Sequence, residues 1–175
     1  MTQSLRAALV YFLAGILSSS ALANSTIPIF AGVKGILILP VVDVDPGSKK
    51  LVSDMEVGAL VQRIVAEGLA NRRSDVSVTT IHLGDERAAK PENLVVLIHV
   101  ALRSGAIPGN DTGSLIAIAL DLYRTDKIVP FFLAAPEPIA VTGDPQGLVD
   151  MLSVALKKQL ERAVIAPLLT RRPGQ

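Results

Sequence analysis

Hydrophobic and polar positions alternate most regularly at the centre of the chain. Residues 94–103 read LVVLIHVALR and residues 114–123 read SLIAIALDLY; both follow the period of two that marks strands, and both are rich in strand-forming residues. In the first run Val96, Ile98, Val100 and Leu102 share one face, opposite Val95, Leu97, His99, Ala101 and Arg103. In the second, Ile116, Ile118, Leu120 and Leu122 oppose Leu115, Ala117, Ala119, Asp121 and Tyr123. The unbroken bulky face is expected to be core, and the mixed face to be half wet or closed on a partner. Between the runs SGAIPGNDTG carries Gly105, Pro108, Gly109 and Gly113, which predicts a hairpin loop over 104–113.

Before this hairpin, GILILPVV over 35–42 is apolar on both faces and predicts a buried first strand, closed by the turn residues DVDPGS. Pro40 has no N–H to give to a ladder, so the strand there should be an edge, a bulge or its end. Ser53 with Glu56 forms a capping box ahead of Val57, Leu60, Val61, Ile64, Val65 and Gly68 at helical spacing. The helix should end near Ala70, where Asn71, Arg72 and Arg73 suit a C-terminus. VSVTTIHL over 76–83 predicts a second strand, and the polar GDERAAKPEN over 84–93 a turn into the hairpin. After it, 128–142 is apolar but holds Pro130, Pro136 and Pro138, the pattern of a broken strand at a sheet edge. Asp144 and Pro145 open a terminal helix with Leu148, Leu152, Leu156, Leu160 and Ala163 on one stripe, running to about Ile165 and stopped by Pro167.

These elements predict one α/β (α+β) two-layer sandwich: a mixed, mostly antiparallel sheet with two helices on one face. A β-α-β opening implies a right-handed crossover, and so parallel first and second strands if both lie in one sheet.

The first 23 residues stand outside this fold, because Arg6 precedes an apolar run over 7–17 and then SSS and Ala21-Leu22-Ala23. That is the pattern of an export signal cleaved between Ala23 and Asn24. The run is too short to cross a hydrocarbon core of about 30 Å as a helix, so no transmembrane segment is expected after processing. The remaining 24–175 is read as a single domain of the periplasm or the extracellular space. It has equal numbers of acidic and basic residues once Arg6 is removed, and its aromatics are Phe30, Tyr123, Phe131 and Phe132. Neither charge nor stacking surface favours nucleic acid.

Candidate chemistry is sparse. Asp43 and Asp45 follow the first strand, where α/β phosphotransferases hold magnesium, but Pro46 and Gly47 stand where the dehalogenase-like motif needs other residues. A solvated turn is the plainer reading. His82 and His99 are the only histidines, and neither has a ligand-type residue at zinc-binding spacing. His99 reads as a hydrogen-bonded sheet histidine. No G-x-S-x-G is present, and the three loop glycines do not open a helix, so no cofactor, metal or nucleophile is assigned. Phe131 and Phe132 are adjacent, so one points in and the other out; the outward one at the proline-rich edge is a candidate partner contact, with plain core as the alternative.

The strand ILILP, the polar turn, the helix opening at Ser53, the β-branched strand, the long hairpin and the terminal helix resemble the N-terminal domain of the TolB translocation protein and the CsgG-like family. The element order is also similar to that of the LptE-type lipopolysaccharide-assembly lipoproteins. The chain has no cysteine to carry the lipid anchor of the CsgG and LptE types, and no propeller follows as in TolB. The resemblance implies a periplasmic, non-enzymatic protein-interaction module in envelope assembly or transport, binding envelope proteins or a second copy of itself. The alternatives are a small apolar-ligand carrier using His99, Ala101, Ala117 and Ala119, and a metal-dependent hydrolase using Asp43 and Asp45.

Overall fold

The computed structural model describes residues 28–45, 52–107, 110–132, 138–141 and 145–170, and at 104–107, 110–114, 128–132, 138–141 and 145–146 the backbone alone. Among the described residues six strands form one mixed sheet: β1 (Gly35–Val44), β2 (Ser77–Thr80), β3 (Asn93–Ile107), β4 (Asn110–Arg124), β5 (Lys127–Phe132) and β6 (Pro138–Val141). Their order is β2-β1-β3-β4-β5, with β6 also on β4. β1 is parallel to both β2 and β3, and β4 is antiparallel to β3, β5 and β6. Two long helices complete the two layers: α1 (Asp54–Leu69) and α2 (Pro145–Leu160).

The alternation of the central strands decides what is buried. Ile36, Ile38, Val96, Ile98, Val100, Ile116, Ile118 and Leu122 face the helices, and each is almost wholly enclosed. Val57, Val61 and Val65 of α1 and Leu148, Leu152, Leu156 and Leu160 of α2 close the same core. The α+β sandwich with both helices on one face is therefore the observed architecture.

The opposite face carries a smaller core of Leu37, Leu39, Ile81 and Val95, with Ala88, Leu97 and Tyr123 packed against it. Ile81 and Ala88 belong to the connection from β2 to β3, which must pass β1 to reach its strand. A right-handed return across the sheet puts that connection on the face away from α1. What reads as a polar turn over 84–93 is thus a cover for half of the second face. It contains a short 3-10 turn, Glu86–Ala89, capped by Asp85. Arg87 hydrogen-bonds Asp85 and holds its carboxyl down to about 2.

The structure corrects four boundaries. β2 ends at Thr80 instead of Leu83. The central hairpin is longer than its apolar runs, with Gly105 opposite Gly113 inside the strands and a register shift before Ile107; Gly109 lies outside the described residues. The broken edge strand is two strands, β5 and β6, both laid on the outer side of β4. Pro167 does not end the last helix: a π turn, Glu161–Ile165, follows α2, and a short α3 (Ala166–Leu169) carries Pro167 in its first turn. A proline ring clashes with the carbonyl four residues back in a regular helix, and the wider π turn relieves this. The same turn buries Ala163, Val164 and Ile165 in succession. Ile165 then lies so close to Gly68 that a Cβ there would stand 2.6 Å from its Cδ1.

Candidate functional site

Asp43 and Asp45 leave the open end of β1 on the face away from the helices. Register places Asp43 beside Ala101, one position pair from Val41 beside His99. Arg103, two residues beyond Ala101 on the same face, pairs with both acids: it hydrogen-bonds the Asp43 carboxylate, and its Nε lies 3.2 Å from Asp45 Oδ1. Arg103 holds the Asp43 carboxyl below its ordinary range through that hydrogen bond and its charge, with a smaller pull from His99. One guanidinium thus bridges the two carboxylates and offsets one of their two charges. Because the folded carboxyl is held low, this pairing is complete above the unfolded aspartate range and is lost as pH falls through the folded value.

Replacing Asp43 and Asp45 together by Asn should leave the melting temperature insensitive to magnesium, as in the parent. A magnesium-dependent rise in the parent that the double variant lacks would assign a cation to this pair. Among the described residues no group of three or more His, Asp or Glu side chains is arranged to hold a metal ion.

His99 is half-buried in mid-sheet, opposite Ala119 on β4, whereas His82 is exposed after β2. The two histidines are not brought together. Around His99 the second face is uncovered among the described residues: Ala101, Ala117 and Ala119 are half-buried, Val41 is 41% exposed and Leu115 38%. Phe131 and Phe132 pair through their backbones with Leu122 and Asp121; their side chains, like Ala23 and Asn24, lie outside the described residues.

A second surface lies at the opposite edge of β1. Asp54, the first residue of α1, accepts the Val42 N–H at 2.6 Å, and Gln62 of the same helix accepts the Thr80 N–H at 3.3 Å. Helix side chains therefore occupy edge donors of both β1 and β2. Beyond Thr80 an open, mostly apolar groove of about 550 Å3 runs between β1 and the segment Ile81–Leu83. Nothing in the spacing of Asp54 and Gln62 marks them as edge caps, since their partners are set by how α1 lies on the sheet.

Arg124 was likewise not legible as a special residue. It is 6% exposed, and its guanidinium donates to the carbonyls of Ile29, Ala31 and Pro91 and to Asp126. Its Nε stands 3.0 Å from Asp126 Oδ1 without a directed hydrogen bond. The only local signal is a cation at the end of an apolar strand, followed by a polar turn.

No family model matches the chain, and no curated protein matches it. Solved structures do. A hypothetical protein of Chlamydia trachomatis is similar at 11% identity and a TM-score of 0.45, over 79% of this chain and 99% of its own. A neuraminyllactose-binding hemagglutinin homolog from Helicobacter pylori is similar at 12% identity and a TM-score of 0.46, over 75% and 81%. An uncharacterized protein gives 10% identity and 0.44, over 74% and 88%. At these identities and scores the likeness decides neither family nor function, and none of the three is described as TolB-like or CsgG-like.

Proposed function

We propose that the chain is an exported, non-enzymatic protein-interaction module of the bacterial cell envelope. The observation that carries this reading is the uncovered half of the second sheet face, where Val41 and Leu115 are exposed beside three half-buried alanines. Small side chains let another protein surface approach the sheet closely, and apolar positions at the rim give that contact a driving force. Arg103 bridges the two acids nearby, which lowers the charge a partner must desolvate there. The carrier reading has less support, since these alanines stand on an open face. The hydrolase reading has less because Arg103 occupies its acids. Export rests on the leader pattern ahead of Asn24.

A photo-crosslinking residue at position 117 should capture a second polypeptide in envelope preparations, while the same residue at the exposed Lys158 should not. Mass spectrometry of the cross-linked chain itself should find Asn24 at its N-terminus. Equal capture from both positions, or capture from neither, would overturn the assignment of this face.

A further inference from the structure

The ladder between β1 and β2 stops while β1 continues. Pairing runs from Gly35 with Ser77 to Ile38 with Thr80, and the Ile81 N–H still donates to the Ile38 carbonyl at 2.8 Å. The next rung of a parallel ladder would join Leu83 to Pro40, but there the chain has turned away and Leu83 is 86% exposed. On its other side β1 remains paired with β3 as far as Val44. Residues 38, 40 and 42 face the same edge by alternation, so the abandoned edge begins at Pro40.

That edge has an unusual polarity. Pro40 has no N–H, and the Val42 N–H is taken by Asp54. The carbonyls of Pro40 and Val42 receive no backbone donor from the described residues beyond Thr80. Among the described residues the groove beside them contains the Asp54 carboxylate and the His82 imidazole but no Lys or Arg, and is walled by the exposed apolar side chains of Met55 and Leu83. Acceptors and negative charge therefore line an apolar slot shaped like a missing strand. A second copy of the chain would bring the same acceptors to the same edge, which is the wrong complement. The fitting occupant brings backbone N–H groups and a positive charge.

We propose that this groove binds an extended basic segment of a partner protein, which adds to β1 where β2 leaves off. Its N–H groups meet the Pro40 and Val42 carbonyls, a lysine or arginine meets Asp54, and alternate apolar side chains pack on Met55 and Leu83. Main-chain pairing supplies the affinity and the charge selects the segment. The groove shares Val41 with the uncovered sheet face around Ala117 but lies along the β2 side of β1 and not over the alanines, so this site goes beyond the reading above.

The test uses short synthetic peptides alternating valine and threonine about a central lysine or a central glutamate, with a third lysine peptide N-methylated at alternate amides. Amide resonances of the protein report the position of binding. The lysine peptide should shift Val41–Val44 and Leu83, and the glutamate and N-methylated peptides should bind more weakly by about tenfold or more. Asp54→Asn, which keeps an acceptor for Val42, should abolish the preference for lysine over glutamate. Leu83→Lys, at an exposed position, should abolish binding without moving the melt or the cross-linking from position 117. Equal binding of the N-methylated peptide, shifts that map elsewhere, or no saturable binding by any peptide would each overturn the proposal. So would dimerisation of the protein alone with the same resonances shifted, since the occupant would then be a second copy.

Discussion

Leu156→Asp should abolish cooperative folding. Leu156 is fully enclosed between α2 and the sheet, one of four α2 leucines that are each at most 1% exposed. Their spacing of four keeps them on a single stripe of the helix, so no rotation of α2 can hide a charge at one of them without exposing the others. The substitution forfeits a burial contribution of about 1.5–3 kcal/mol. It also forces a carboxyl into the core, where it must be desolvated as a charge or be taken up protonated at a pH that opposes it. Among the described residues the buried cation is Arg124, and its guanidinium is already taken by the Ile29, Ala31 and Pro91 carbonyls and Asp126. The combined loss is comparable to the whole stability of a domain of this size, about 5–15 kcal/mol. Far-ultraviolet circular dichroism during a urea titration should show no native baseline. Leu156→Ala should retain a transition, displaced by about 2–5 kcal/mol, and Lys158→Glu on the exposed side should melt like the parent. A Leu156→Asp protein with the parent's melt would mean that α2 does not cover this core.

Arg124→Leu should destabilise the protein by about 3 kcal/mol or more, because it leaves several enclosed carbonyls unpaired while burying a comparable apolar volume. The guanidinium ties together three segments distant in sequence: the turn Pro28–Phe30 with Ala31, the end of the β2–β3 connection at Pro91, and the β4–β5 turn at Asp126. Thr125 adds a fourth tie by donating to the Ala89 carbonyl at 3.0 Å. A planar fork with five N–H donors can serve these acceptors at once, whereas a lysine presents three donors from one point. Arg124→Lys should therefore recover only part of the loss. Urea midpoints and slopes for the two variants would check this, and an Arg124→Leu midpoint within about 0.5 kcal/mol of the parent would show that the polar knot is decorative.

The helix-facing core was legible because it is a property of local period. Val100, Ile118 and Leu120 alternate with smaller or polar residues, and a strand has only two faces on which to place them. The capping box was legible for the same kind of reason: Ser53 Oγ accepts from the Glu56 N–H at 3.2 Å while Glu56 accepts from the Ser53 N–H at 2.8 Å, both within one turn. The length of β2 was not. VSVTTIHL keeps its strand pattern through Leu83, but pairing stops at Thr80, where the chain leaves to cover the other face of the sheet.

Pro40 marks the boundary between the two kinds of information. Its missing N–H restricts it to an edge, a bulge or a strand end, and this follows from the residue itself. In the fold it sits in a strand flanked on both sides, yet its nitrogen faces the stretch from which β2 has withdrawn. The candidate sites follow the same division. The chain alone determined that Asp43, Asp45 and His99 were its candidates, through residue type and position after or within a strand. Only the tertiary structure decided that Arg103 bridges the acids, that Asp54 and Gln62 close edge donors, and that the face around Ala117 is uncovered among the described residues. Hydrophobic period is written residue by residue along the chain, whereas these pairings depend on which distant backbone comes to lie beside which, and that is set by packing of the whole sheet against its helices.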